Sequence, residues 1–134
     1  IIQIRSRLTM NLGLLKIFFL IFFFSNPLLS EPLQMKYAKF RLLDKISNKL
    51  IDKTISVDES EKIEKLIIKV YACFSEPPTE ISEDYVLVDI IDNFQDLEKI
   101  IYRGWMISSS PEVTALEHPI YDLWLLGCIN DKTS

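Results

Sequence analysis

Apolar and polar residues alternate with a period of two along most of the chain after Glu31. In a strand successive side chains point to opposite faces, so this period predicts half-buried strands. Over 38–44, Phe40 and Leu42 point one way and Lys39 and Arg41 the other. Over 50–57 the apolar set is Ile51, Ile55 and Val57, with Lys53 breaking the face. Over 65–74, Leu66, Ile68, Val70, Ala72 and Phe74 share one face, and Ile67, Lys69, Tyr71 and Cys73 share the other. Over 85–92, Val86, Val88 and Ile90 face inward and Asp89 outward. The stretch 99–108 reads as a strand in which Gly104 marks a bulge or a close backbone approach. The last strand is expected over 121–129.

Turn signals separate these runs. Ser47-Asn48-Lys49 and Asp58-Glu59-Ser60 are short polar breaks, and 92–98 reads as a polar connection. Between 75 and 80 two successive prolines, Pro77 and Pro78, exclude helix and favour an extended path. No segment after Glu31 carries an amphipathic helix of ten residues; at most, 111–117 forms one short helical turn capped by Ser109 or Ser110. The pattern therefore predicts an all-β domain, a small antiparallel sandwich or partly open barrel of about six strands.

The opening of the chain differs. An uninterrupted apolar run fills 17–24, after Lys16 and ahead of Ser25-Asn26-Pro27. A membrane-spanning helix needs about 20 apolar residues, and Pro27 interrupts any extension. Read from Met10, the segment is a signal peptide ending at the small Ser30, with Glu31 as the mature N-terminus; an uncleaved inner-membrane anchor is the alternative. The expected organisation is an upstream extension at 1–9, a signal peptide at 10–30, a polar lead-in at 31–37, a β-domain at 38–130 and a tail at 131–134. The expected location is the periplasm. Membrane contact is expected only through an uncleaved signal segment.

Charge narrows the function classes. Residues 1–30 hold three of the 15 basic groups and none of the 19 acidic ones, so the remainder is acidic. A nucleic-acid binder held by a basic surface is excluded. Cys73 and Cys128 are the two cysteines. They form no C-x-x-C pair, and His118 is the single histidine, so neither a redox motif nor a zinc site is expected. In an oxidising compartment a structural disulfide is the ordinary expectation. Closing a loop of about 55 residues would stabilise by roughly 4 kcal/mol on the chain-entropy model. Two buried thiols are the rival reading.

Residues 104–128 read GWMISSSPEVTALEHPIYDLWLLGC. Gly104-Trp105-Met106, Ser109-Ser110-Pro111, Ala115-Leu116-Glu117-His118-Pro119, Tyr121-Asp122, Trp124 and Cys128 resemble the pattern of domain-of-unknown-function family 2155, a family of exported bacterial proteins. Ile107 and Ser108 depart from that pattern. Upstream, Ala72-Cys73-Phe74-Ser75-Glu76-Pro77-Pro78 and Leu42-Leu43-Asp44-Lys45-Ile46 resemble two further family motifs, with Phe74 and Glu76 as departures. Both cysteines match family cysteines, which supports pairing them. The resemblance implies export and a role in envelope maintenance or lipid traffic, with no particular activity.

Three functions compete. Ser108 to Ser110, His118 and Asp122 (or Glu117) contain the letters of a nucleophilic triad, but one loop without a nucleophile elbow is poor support for a hydrolase. The plainer expectation is that His118 fixes a loop through hydrogen bonds to backbone or to Asp122. Trp105, Trp124, Tyr102 and Tyr121 form either an aromatic binding surface or one aromatic core layer, the latter favoured. A calcium site in the acidic loop 76–84 lacks the ligand spacing. The expected function is a non-enzymatic binding or structural module of the cell envelope, with no cofactor or metal, and with an envelope protein or a lipid as partner. A carrier of a small apolar ligand is the alternative. The candidate binding or loop-fixing residues are Trp105, Ser109, Ser110, Glu117, His118, Tyr121, Asp122 and Trp124.

Overall fold

The computed structural model describes residues 11–24, 31–77, 83–110, 116 and 118–132. The chain divides into two units, Ile1–Ser30 and Glu31–Ser134. In the first, α1 (Leu12–Phe24) is a 13-residue helix with no buried residue. At 1.5 Å per residue it is about 20 Å long, short of a ~30 Å hydrocarbon core. Among the described residues no helix is long and apolar enough to cross a membrane. Residues 1–10 and 25–30, with the predicted cleavage site, lie outside the described residues.

The second unit is an antiparallel sandwich. Its strands are β1 (Leu33–Gln34), β2 (Tyr37–Asp44), β3 (Lys49–Ser56), β4 (Ser60–Ile63), β5 (Leu66–Ser75), β6 (Asp84–Phe94), β7 (Leu97–Ile107) and β8 (Tyr121–Ile129). The larger sheet runs β1-β5-β6-β7, with β4 pairing β5 as well; the smaller runs β3-β2-β8. The six strands expected from alternation are present, and β1 and β4 are additional. The expected polar connection over 92–98 shrinks to the two-residue turn Gln95-Asp96, both at φ 58, because Phe94 and Leu97 still pair across the ladder. Two successive positive φ values match the twist of a tight hairpin.

The core lies between the sheets. Phe40 and Leu42 of β2, Ile55 of β3, Leu66, Ile68 and Val70 of β5 and Val86, Val88 and Ile90 of β6 are fully buried. Lys53, expected to break the face of its strand, does face the partner sheet, but from an edge. There it pairs with Glu61 of β4 at 3.0 Å, so the ion pair closes one open side of the sandwich. The other side lies between β7 and β8. β7 ends where β6 begins, and β8 starts opposite the end of β2, so these two strand ends lie at opposite ends of the domain. Leu116, 4% exposed, plugs the core from the connection between them.

Three bulges break the alternation. One residue is inserted in β5 between Val70 and Ala72, one in β8 opposite Lys39/Phe40, and one in β7 opposite Ile90/Ile91. The first overturns the expected faces of β5. Inserting Tyr71 moves Cys73 onto the core face with Leu66, Ile68 and Val70, and turns Phe74 outward. The second acts likewise in β8. Unbroken alternation from Tyr121, Leu123 and Leu125 would point Cys128 outward, but the exposed Leu126 takes the extra place and Cys128 is 6% exposed. The irregularity expected at Gly104 divides in two: the bulge falls at Ile101, while Gly104 adopts φ 153, a conformation side-chain-bearing residues rarely take.

Candidate functional site

The two bulges create the first functional feature. With both side chains turned inward, Cys73 of β5 and Cys128 of β8 have Cα atoms 5.7 Å apart and form a disulfide between the sheets. Beside it, Asp84 Oδ2 accepts from the Cys128 amide at 2.8 Å. Gly127 permits this approach, because a Cβ there would stand 2.8 Å from the same carboxylate oxygen. The Ser108 hydroxyl accepts from the Asp84 amide at 3.0 Å. Ser109 bonds Glu83 through its hydroxyl. Tyr85 donates to Glu76 at 2.9 Å and contacts Glu83 at 3.3 Å. The bond to the Glu76 carboxylate, with further charge from Glu83, pushes the Tyr85 phenol up to about 12.

A second feature sits at the opposite end. His118, its side chain 7% exposed, directs Nε2 at Asp92 Oδ2 of β6 at 3.2 Å. Its Nδ1 accepts from the amides of Ile120 at 3.1 Å and Tyr121 at 3.2 Å. An acceptor nitrogen carries no proton, so the ring proton is on Nε2 and points at the carboxylate. The ring stacks on Tyr121 with centroids 5.1 Å apart. Lys45 completes the arrangement. Its ammonium donates to the His118 carbonyl at 2.8 Å and pairs with Asp122 at 3.0 Å, while its amide donates to the Ile120 carbonyl at 2.8 Å. Asp44 caps the turn that carries Lys45 by accepting from Ile46 and Ser47. These bonds hold the Asp44 carboxyl below its ordinary range, Ile46 foremost.

This geometry corrects the triad reading. Ser108 is tied to Asp84, and His118 to Asp92, eight residues further along β6. At about 3.3 Å per residue that is roughly 26 Å. The serines and the histidine therefore lie at opposite ends of the sandwich, far beyond the hydrogen-bond reach that activation of a hydroxyl requires. His118 does fix a loop through backbone amides, but its acidic partner is Asp92 rather than Asp122. Asp122 alternates onto the outer face of β8 and is held by Lys45. Ser110 is half-buried. Glu117, and the helical turn expected over 111–117 apart from Leu116, lie outside the described residues.

The third feature is the outer face of the larger sheet. The register aligns Ile67, Ile91 and Ile100 in one row across β5, β6 and β7. The next row is Lys69, Asp89 and Arg103, followed by Ala72, Leu87 and Trp105, then Phe74, Tyr85 and Ile107. Trp105 is 44% exposed and packs on Phe74 with ring centroids 6.0 Å apart. Asp89 is 4% exposed although it faces outward. Arg103 covers it with two bonds of 2.7 and 2.8 Å, and the Tyr71 hydroxyl donates at 2.8 Å. The Arg103 guanidinium, then the Tyr71 hydroxyl, hold the Asp89 carboxyl below its usual range. Sequence reasoning missed this cluster, because only the cross-strand register brings 71, 89 and 103 together.

The aromatic residues do not form the single core layer that was favoured. Tyr121 is buried between the sheets, whereas Trp105 lies outside the larger sheet and Trp124, half-buried, beside Arg41 outside the smaller one. The space between the sheets, where a barrel-type carrier would hold its ligand, is filled by Phe40, Leu42, Ile68, Ile90 and Met106. A surface groove of about 430 Å³ is lined by Gln34, Met35, Lys36, Tyr37, Ser56 and Val57, a largely polar set unsuited to a lipid chain. Among the described residues no cluster of three histidine, cysteine or acidic side chains is placed to hold a metal ion.

An uncharacterized protein of Rickettsia prowazekii (strain Madrid E) is 24% identical over 113 residues, covering 78% of this chain and 73% of the relative. No solved structure matches the chain. The family model described as an uncharacterized protein conserved in bacteria matches residues 38–128, from the first core residue of β2 to the disulfide cysteine of β8. The chain belongs to that family, domain-of-unknown-function family 2155.

Proposed function

We propose that this chain is an exported β-sandwich of the bacterial cell envelope that acts by binding a protein partner across the outer face of its larger sheet, without catalysis. The observation that carries the reading is that face itself. Apolar rows led by Trp105, Phe74 and Ile100 flank a carboxylate already neutralised by Arg103. The charged row Lys69, Asp89 and Arg103 lies between these apolar rows, so the face combines exposed apolar side chains with a paired charge at its centre. Aromatic and arginine residues are the side chains that anchor interaction surfaces. The outer face of the smaller sheet is more polar, carrying Lys39, Arg41, Asp52 and Asp122. Export is supported by the inter-sheet disulfide, which persists in oxidising compartments, and by the apolar segment around α1 behind Lys16.

The test is site-specific photo-crosslinking in cells that export the protein. A photoreactive aromatic side chain replaces Trp105, and a control replaces Thr54 on the smaller sheet. A discrete adduct from position 105 and none from position 54 is expected. No adduct, or equal capture at both positions, overturns the reading. The mass of the same sample reports export: a mature chain lacking the α1 segment and two hydrogens light until reduced.

A further inference from the structure

We propose that His118 is a pH-operated latch on the start of β8, closed when the imidazole is neutral and released when it gains a proton. The argument starts from valence. Nδ1 accepts two amides, from Ile120 at 3.1 Å and from Tyr121 at 3.2 Å. A proton on Nδ1 would meet both N–H groups head on, so the cation and the latched loop exclude each other. An isolated buried histidine would respond by staying neutral. This one has a counter-ion in Asp92, 3.2 Å from Nε2. The cation can therefore be kept if the ring swings away from the amides while holding the carboxylate.

The direct ionic partner carries that outcome, because the remaining charges nearby are close to balanced. From β6 the ring faces Asp92, and from β8 it stacks on Tyr121. Asp122 of β8 and Lys45 of the β2–β3 turn pair beside its carbonyl. Asp44 at the end of β2 and Glu64 in the β4–β5 turn act on the Tyr121 phenol. Lys49 at the start of β3 pairs with Glu64 at 3.8 Å and acts on Asp44, and Lys99 of β7 stands opposite Asp92, so three ammoniums answer these four carboxylates and Asp92 is the one in direct contact with the ring. What moves is defined by the same bonds. The His118 and Ile120 carbonyls are held by Lys45, and Leu116 plugs the side of the core two residues before His118. Release therefore frees the amides of Ile120 and Tyr121 at the start of β8. It leaves the disulfide end untouched.

Amide hydrogen exchange followed by NMR on the oxidised chain tests the latch between pH 8 and pH 5. After correction for intrinsic exchange, Ile120 and Tyr121 should lose at least tenfold in protection toward the acid end, by linkage to one proton. The amide of Val57, bonded to the Lys36 carbonyl, is the reference and should not change. In His118→Asn the carboxamide oxygen can replace Nδ1 as acceptor without titrating, so protection should become independent of pH. In Asp92→Asn the protonated ring has no counter-ion to hold, so the acid loss of protection should shrink. Unchanged protection in the parent chain, or the same acid loss in H118N, overturns the proposal. So does an imidazole nitrogen spectrum showing the proton on Nδ1 at pH 8, a readout that needs no variant to fold.

Discussion

β6 presents a carboxylate at each end, and β8 is tied to both. At one end Asp84 accepts from the Cys128 amide beside the Cys73–Cys128 disulfide. At the other Asp92 faces His118, whose ring holds the first residues of β8. The two fastenings do the same mechanical job, joining the smaller sheet to the larger, but by different chemistry. The disulfide end is covalent, and it acts on the unfolded chain by restricting it. The His118 end is noncovalent: hydrogen bonds, a ring stack on Tyr121 and an ion pair between partners 38% and 37% exposed, Lys45 and Asp122. Such bonds are worth about 1 kcal/mol each and depend on protonation and salt. The comparison teaches that global stability should reside at one end and adjustability at the other.

The largest expected effect tests the first half of that statement. Replacing both cysteines by alanine should cost about 2–5 kcal/mol in urea unfolding, with the folded β pattern retained at low denaturant. His118→Ala should cost less, about 2 kcal/mol, because two amides lose their acceptor and the Asp92 carboxylate its partner. His118→Asn should recover most of it. A histidine variant more damaging than the double cysteine variant would reverse the comparison.

How much of each end was legible differs in the same way. The strands themselves follow from alternation, because one face of each is buried and period-two patterning is strongly specified there. The disulfide was legible from two cysteines in a chain read as exported, with support from the resemblance, but not from the strand pattern. Alternation placed Cys73 with Ile67, Lys69 and Tyr71, and it is the inserted Tyr71 that turns the sulfur inward. Nothing in the residue types at 70–72 announces that insertion. β1 and β4 were missed because two and four residues are too few to show a period. At the other end, the loop-fixing role of His118 was legible from its place before Pro119. Its partners Asp92 and Lys45 were not, since strand order sets them. The same order places the end of β7 and the start of β8 at opposite ends, which is why Ser109 and His118, near in sequence, are far apart.

A smaller effect sharpens the disulfide end. Gly127→Ala places a Cβ 2.8 Å from Asp84 Oδ2, the far end of a side chain that can shift. The shift forfeits its bond to the Cys128 amide, so the cost should be about 1 kcal/mol. In an Asp84→Ala background the same substitution should cost measurably less, since the crowding partner is gone. Equal costs in both backgrounds would show that Gly127 is required by the bulge and not by the carboxylate.

The smallest effect at neutral pH is also at this end, and it keeps the disulfide region from being wholly insensitive to protons. Tyr85 is hydrogen-bonded to Glu76 and flanked by Glu83, which push its phenol up to about 12. A phenol raised in the folded state favours the protonated form there. Its contribution is complete below the unfolded value near 10 and is lost as pH rises through about 12. Burial also raises Tyr102 and Tyr121, so absorbance titration at about 295 nm should show several late tyrosines, with Tyr85 ionising at about 12. Glu76→Gln should bring that titration back toward the ordinary range, because the larger of the two anionic partners is removed. The two ends would then answer to opposite extremes: the histidine end releases toward acid, and the disulfide end loses its phenol bonds only in strong alkali. If Glu76→Gln leaves the titration at about 12 in place, the tyrosine responsible is not Tyr85, and the contrast between the ends rests on His118 alone.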